Sequence, residues 1–214
     1  HMSWIVQALP MLDEPTLSRM INFSTSAYSA DNAMVRPSRI PVLVCPSDNR
    51  RITGAVFVSN YAGVTGGEDI PVDTNNSGLL FLNSNIADKH IKDGASNTLM
   101  VGERRADDII NTDLGWMSGT ASTLRHTGTP DSLNSPARWN GRQYAAPGES
   151  EIDDTDETVS PGPDLATGSF SSPHGQVINF AMADGSVRRV NTSISYKVYQ
   201  NLGNREDGAM AGRF

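Results

Sequence analysis

The chain has 214 residues, 37% hydrophobic and 19% charged, which excludes a disordered chain and supplies enough apolar side chain for a sizeable core. Gly and Pro together, 19 and 12 residues, exclude a collagen-like repeat and favour many turns. The formal net charge is -7, but Glu149, Glu151, Asp153, Asp154, Asp156 and Glu157 hold almost all of it: without them 18 acids face 17 bases. No basic cluster tracks a phosphate backbone, so nucleic acid is not an expected partner.

His1-Met2 reads as a cloning scar ahead of Ser3. The start at Ser3-Trp4-Ile5 is abrupt, with no cap and no leader, and predicts that a natural N-terminal segment was removed. No apolar run approaches the roughly 18 residues of a membrane span. Residues 3–22 predict helix. Trp4, Ile5, Ala8, Leu9 and Leu12 form one stripe, and Leu17, Met20 and Ile21 a second. Pro10 and Pro15 interrupt it, Pro15 suiting the first turn of the second piece.

Arg36-Pro-Ser-Arg-Ile-Pro41 predicts extended chain leading into a short buried strand at Val42-Leu43-Val44, then a turn at Pro46-Ser47-Asp48-Asn49. Residues 55–61 alternate like a strand, Gly63, Gly66 and Gly67 mark a loop, and residues 78–83 predict a further strand. Asp93-Gly94 predicts a turn before a strand from Asn97 to Val101, ending at Gly102-Glu103. Trp116-Met117 is a candidate strand. Periodicity fails over residues 127–168, which read as a long surface insertion.

Val177-Ile-Asn179-Phe-Ala-Met-Ala183 and Ser186-Val-Arg-Arg-Val190 flank Asp184-Gly185. That pattern predicts a hairpin with a type I′ turn, which needs positive φ at both central residues. Residues 193–202 predict a helix stopped by Gly203. Helices first, then serial short strands without a strand–helix rhythm, predict one α+β domain over residues 3–214 with an antiparallel sheet and long loops.

Ser172-Pro-His174, nine residues, then Asp184-Gly185-Ser186-Val187 resembles the C-terminal signature of a pilin-like family of unknown function prominent in planctomycete bacteria. Four more stretches resemble that family in its order: Ser3 to Pro10, Cys45-Pro46-Ser47-Asp48, Val58-Ser59-Asn60-Tyr61, and Asp93-Gly94-Ala95-Ser96-Asn97-Thr98 through Val101-Gly102-Glu103. The insertion lies outside the matched pattern, and Gly-Gln-Val follows His174 where the family has a Pro-Gly-Gly type of sequence.

The resemblance implies a type IV pilin or pseudopilin-like head, with short N-terminal helices on the sheet. It implies an upstream prepilin leader and apolar helix, which anchors the precursor in the inner membrane and packs with other pilin-like subunits. The head would then lie in the periplasm or at the cell surface, monomeric without its helix. The resemblance also supplies a candidate disulfide partner for Cys45, in the segment after that helix.

Cys45 is the only cysteine, which excludes a disulfide within the chain and a cysteine-based zinc site. A lone Cys is also read simply as a small buried apolar residue. His174 and Asp184 could be an acid–base pair, but no G-x-S-x-G elbow and no H-E-x-x-H accompanies them. Asp184 is explained by its turn, and His174 can hold a loop by hydrogen bonds from its ring. Glu103, at a strand end, is expected to pair with an arginine or with His174. Asn60, Asn97 and Thr98 are expected to bond loop main chain.

These readings make the chain a non-catalytic structural or interaction protein. The alternative is a membrane-tethered module that captures a glycan, through Trp116, Trp139 and Tyr144, or calcium. No cofactor is expected unless calcium binds. Its candidate ligands are Asp153, Asp154 and Asp156, with Asp69, Asp73 and Asn75 as a second group. EF-hand spacing fails, since Val159 stands at the loop glycine position. His90 and His126 have no metal spacing.

Overall fold

The computed structural model describes residues 1–48, 56–105, 113–128 and 168–209. The N-terminal stripe folds as α1 (Trp4–Ala8), a 3-10 turn (Leu9–Leu12) and α2 (Pro15–Met20), with both prolines in first turns, where no N–H is needed. The chain start is capped after all. Ser3 is extended, and its Oγ accepts from Val6 N at 3.4 Å and donates to the Trp116 carbonyl at 2.5 Å. Ile5, Val6, Leu9, Leu17 and Ile21 bury one face against Val35, Ile40, Leu43, Trp116 and Met117.

Five strands form an open sheet in the order β3-β1-β2-β4-β5: β1 (Tyr61–Val64), β2 (Leu99–Glu103), β3 (Leu124–Arg125), β4 (Val177–Met182) and β5 (Val187–Asn191). The architecture is α+β. The sheet is mixed, however, because the two residues of β3 pair parallel to β1 while the other three pairings are antiparallel. A second core lies on one sheet face. Val64, Leu99, Ile178, Phe180, Met182 and Val190 pack there with Phe170 and with Tyr199 and Leu202 of α3 (Tyr196–Gly203). Burying one side chain such as Phe180 removes enough apolar surface to stabilise the fold by about 1.5–3 kcal/mol.

Several elements differ from expectation. Pro41–Leu43 is a 3-10 turn and not a strand: Pro41 presets φ for helical backbone, and Leu43 N returns to the Ile40 carbonyl. Residues 56–60 pair with loops, Phe57 N to Arg36 O and Asn60 N to Leu43 O, so the ladder begins only at Tyr61. Gly63 belongs to β1, where a Cβ would lie 2.7 Å from Leu80. Residues 78–83 are no strand. Leu79 and Leu80 N both reach the Val64 carbonyl, and Asn83 turns with φ 55°. Residues 116–117 form no strand: Ser3 N donates to the Met117 carbonyl and Trp116 N to the Phe57 carbonyl, both at 2.9 Å.

The hairpin between β4 and β5 stands, but not its turn type. Gly185 alone has positive φ, 80°, and three residues separate Met182 from Ser186, whose carbonyl accepts from Met182 N. A three-residue loop ending in a left-handed glycine has the twist the strands need. Gly203 is the last residue of α3 rather than a stop after it, since a Cβ would lie 2.1 Å from Thr127 Oγ1. Of the expected insertion, residues 129–167 lie outside the described residues, with Trp139, Tyr144 and the acidic group.

Candidate functional site

The site starts from a clamp. Asp48 N donates to the Cys45 carbonyl, closing the Cys-Pro-Ser-Asp turn at 3.0 Å. Buried Asn60 holds both ends of it: Oδ1 accepts from Cys45 N at 3.0 Å, and Nδ2 donates to Asp48 Oδ2 at 2.6 Å. The same Nδ2 reaches the Arg104 carbonyl at 3.2 Å, and Arg104 N donates to the Asn60 carbonyl. One amide side chain thereby docks the Cys45 turn onto the end of β2, and the thiol is buried.

Glu103 owes its direction to an irregularity. Leu99 faces the second core, and so does Gly102, where a Cβ would lie 2.3 Å from Phe180. Strict alternation would put residues 99 and 102 on opposite faces. The register shift between Leu99 and Val101 resolves the conflict, and it turns Glu103 to the other face. There Asn179 of β4 also points, because its neighbours Ile178 and Phe180 occupy the core. Glu103 is 4% exposed. Its Oε2 accepts from Asn179 N at 3.1 Å and Ser172 Oγ at 2.8 Å, and its Oε1 from Asn179 Nδ2 at 3.0 Å.

His174 completes the group. Its Nε2 lies 3.3 Å from Glu103 Oε1 and 3.5 Å from Cys45 Sγ, and the side chain is 31% exposed. Among the described residues, Cys45, Glu103 and His174 form a group of potential metal ligands whose ligand atoms all lie within 4.8 Å of one another. Arg104, next along from Glu103, turns away. Its Nε donates to the Ser59 carbonyl at 2.8 Å, and its guanidinium pairs with the buried Asp113. Tyr61, opposite Glu103 in the ladder, senses the group: burial first, then the negative charge of Glu103 and of Cys45, raises its phenol above the usual value.

The arrangement is not a nucleophile relay. In such a relay the histidine uses one ring nitrogen for the nucleophile and the other for the orienting carboxylate. Here thiol and carboxylate share Nε2. A converging thiol, imidazole and carboxylate can instead hold a proton between them or hold a cation.

The remaining predicted residues lie apart from this group. Asp184 sits on the exposed hairpin, where its Oδ1 accepts from Ser186 N at 2.8 Å and Ser186 Oγ at 2.6 Å, and these bonds lower its pKa. Asn97 Nδ2 donates to the Asp93 carbonyl and Thr98 Oγ1 to that of Gly94. Asp69 faces His126, Nε2 to Oδ1 at 3.0 Å, while His126 Nδ1 accepts from Gly128 N. Asp73 accepts from its neighbour Thr74 N. Asp153, Asp154 and Asp156 lie outside the described residues. A single cysteine argued against any cysteine-based metal site; the fold supplies the other donor types from residues 58 and 129 positions away. The signal was present, since Cys45, Glu103 and His174 each sit in one of the family-like blocks, but nothing local joins them.

The chain belongs to the family described as protein of unknown function (DUF1559), whose family model matches residues 1–196. Neither a curated protein nor a solved structure matches the chain.

Proposed function

We propose that this member of the family is the head of a type IV pilin-like or pseudopilin-like subunit, a structural and interaction module without catalysis. Its apolar helix would precede Ser3. That helix would anchor the precursor in the inner membrane and join it to other pilin-like subunits. The head would stand in the periplasm or at the cell surface. No helix among the described residues is long and apolar enough to cross a membrane.

One observation carries the reading. Of the ten large hydrophobic side chains exposed among the described residues, six fall in the N-terminal segment: Met11, Met20, Phe23, Tyr28, Met34 and Val42. Met11 and Met34 are each at least 80% exposed. Exposed apolar side chains, Met11 and Met34 above all, offer contact points to a partner, and unbranched methionines adapt to one. Supporting it, the shared signature is spent on architecture at its Asp184 end.

Expression of the whole natural reading frame tests this. The protein is expected in the membrane fraction before assembly and in filaments sheared from cells, with Met11→Lys and Met34→Lys lowering its recovery in filaments. A full-length protein found only in the soluble fraction would overturn the reading.

A further inference from the structure

We infer that Cys45, Glu103 and His174 form a three-ligand site for zinc, or a divalent ion of like softness, with its fourth position open to solvent. This goes beyond the subunit role, which needs no metal.

Spacing is the first argument. Around a tetrahedral zinc, with bonds of about 2.3 Å to sulfur and about 2.0–2.2 Å to nitrogen and oxygen, the S–N edge is about 3.6 Å and the N–O edge about 3.4 Å. Two of the three edges are 3.5 Å from Sγ to Nε2 and 3.3 Å from Nε2 to Oε1, and the sulfur-to-oxygen edge lies within 4.8 Å. Hydrogen bonding alone accounts for them less well. A charge-assisted N–H to carboxylate bond closes to about 2.7–2.9 Å. One N–H shared between a sulfur and an oxygen makes only a bifurcated bond, bent and weaker toward each. A lone pair aimed between them at a cation meets no such conflict.

Charge is the second argument. Thiolate, carboxylate and neutral imidazole sum to minus two, which a dication neutralises. The carboxylate is buried, and the adjacent Arg104 is committed to Asp113. Support is the third. Asn179 grips Glu103 with main chain and side chain, Ser172 adds a further bond, and Asn60 fixes the backbone that carries the thiol. Ligands held this way are pre-oriented. The donor set discriminates too: sulfur and imidazole nitrogen disfavour calcium and magnesium, which take oxygen. The partly exposed His174 ring is the entry side, and a solvent molecule completes four-coordination there.

The test uses the 214-residue chain, stripped with chelator and kept reduced. Calorimetric titration with zinc chloride is expected to show one ion per chain. At zinc one hundredfold above Kd the melting temperature should rise by roughly 5–10 °C. Cobalt(II) in place of zinc should give a tetrahedral visible spectrum and a sulfur-to-cobalt charge-transfer band. Cys45→Ser, nearly isosteric, should abolish that band and weaken zinc by more than about 100-fold, while Asn179→Ala weakens it by about 10–100-fold. Absence of zinc heat, a cobalt spectrum without the thiolate band, or unchanged affinity in Cys45→Ser would each overturn the site. So would a disulfide at Cys45 in the natural full-length protein.

Discussion

The two ends of the segment from His174 to Asp184 do different work. At the Asp184 end the side-chain partners are local: the carboxylate is held by Ser186, two residues on, and Gly185 supplies the one left-handed residue the loop needs, while Asp184 N ties the turn to the Ala95 carbonyl at 3.1 Å. At the His174 end the main-chain N–H bonds locally to Ser172 Oγ, but the ring's partners are distant. Its ring meets Cys45 across 129 residues, and the Glu103 carboxylate beside it is bonded to Asn179 across 76. The first end is exposed and the second is set in buried groups. A short stretch of chain can therefore join a turn whose side chains bond locally to a site that exists only once distant segments have docked.

That contrast is sharpest in the cost of disturbing each end. Behind the His174 end lies the Arg104–Asp113 pair, both side chains at most 1% exposed. Asp113→Ala strands a buried guanidinium and is expected to cost about 3–5 kcal/mol in denaturant unfolding. A loss below about 1 kcal/mol would remove the claim that this end is the costly one.

At the hairpin, Gly185→Ala meets no steric obstacle, because no atom lies within 4 Å of the added Cβ. Its cost is the backbone's alone, about 1–2 kcal/mol for a left-handed non-glycine residue. Asp184→Ala should lower the melting temperature less than Gly185→Ala does, since the carboxylate is fully exposed. Its lowered pKa gives the sign of the pH effect. The stabilisation is present above the ordinary aspartate pKa and disappears as pH falls through the lowered value. Thermal melts from neutral pH into the acid range check both statements; an Asp184 effect equal to that of Gly185 would erase the distinction.

The smallest effect is a titration. Glu103→Gln removes a negative charge beside Tyr61, so the phenol should ionise at lower pH than in the parent chain, while burial still holds it above its ordinary value. The ultraviolet tyrosinate signal, with Tyr61→Phe subtracted, reads this out. An unchanged titration would show that Glu103 does not reach Tyr61.

The fold was legible at the N-terminal prolines and in the alternation of β4. Pro10 and Pro15 divide the N-terminal helices as expected, and the alternation of Ile178, Phe180 and Met182 gives β4 its buried face. Short apolar runs misled: Val42-Leu43-Val44 and residues 78–83 look like strands by composition, yet they lack a ladder partner and bend instead. The two-residue β3 leaves almost no periodic trace, so its parallel pairing could not be read in advance.

By itself the amino-acid order determined the helix breaks, the Asp-Gly hairpin and the candidate residues Cys45, Glu103 and His174, because each follows from the chemistry of a few neighbouring residues. Only tertiary structure decided that those three face one another. The bulge in β2 and the Asn60 clamp set their directions, and both depend on which strands and turns are neighbours in space. Side-chain convergence is a property of packed backbone, and sequence distance does not encode it.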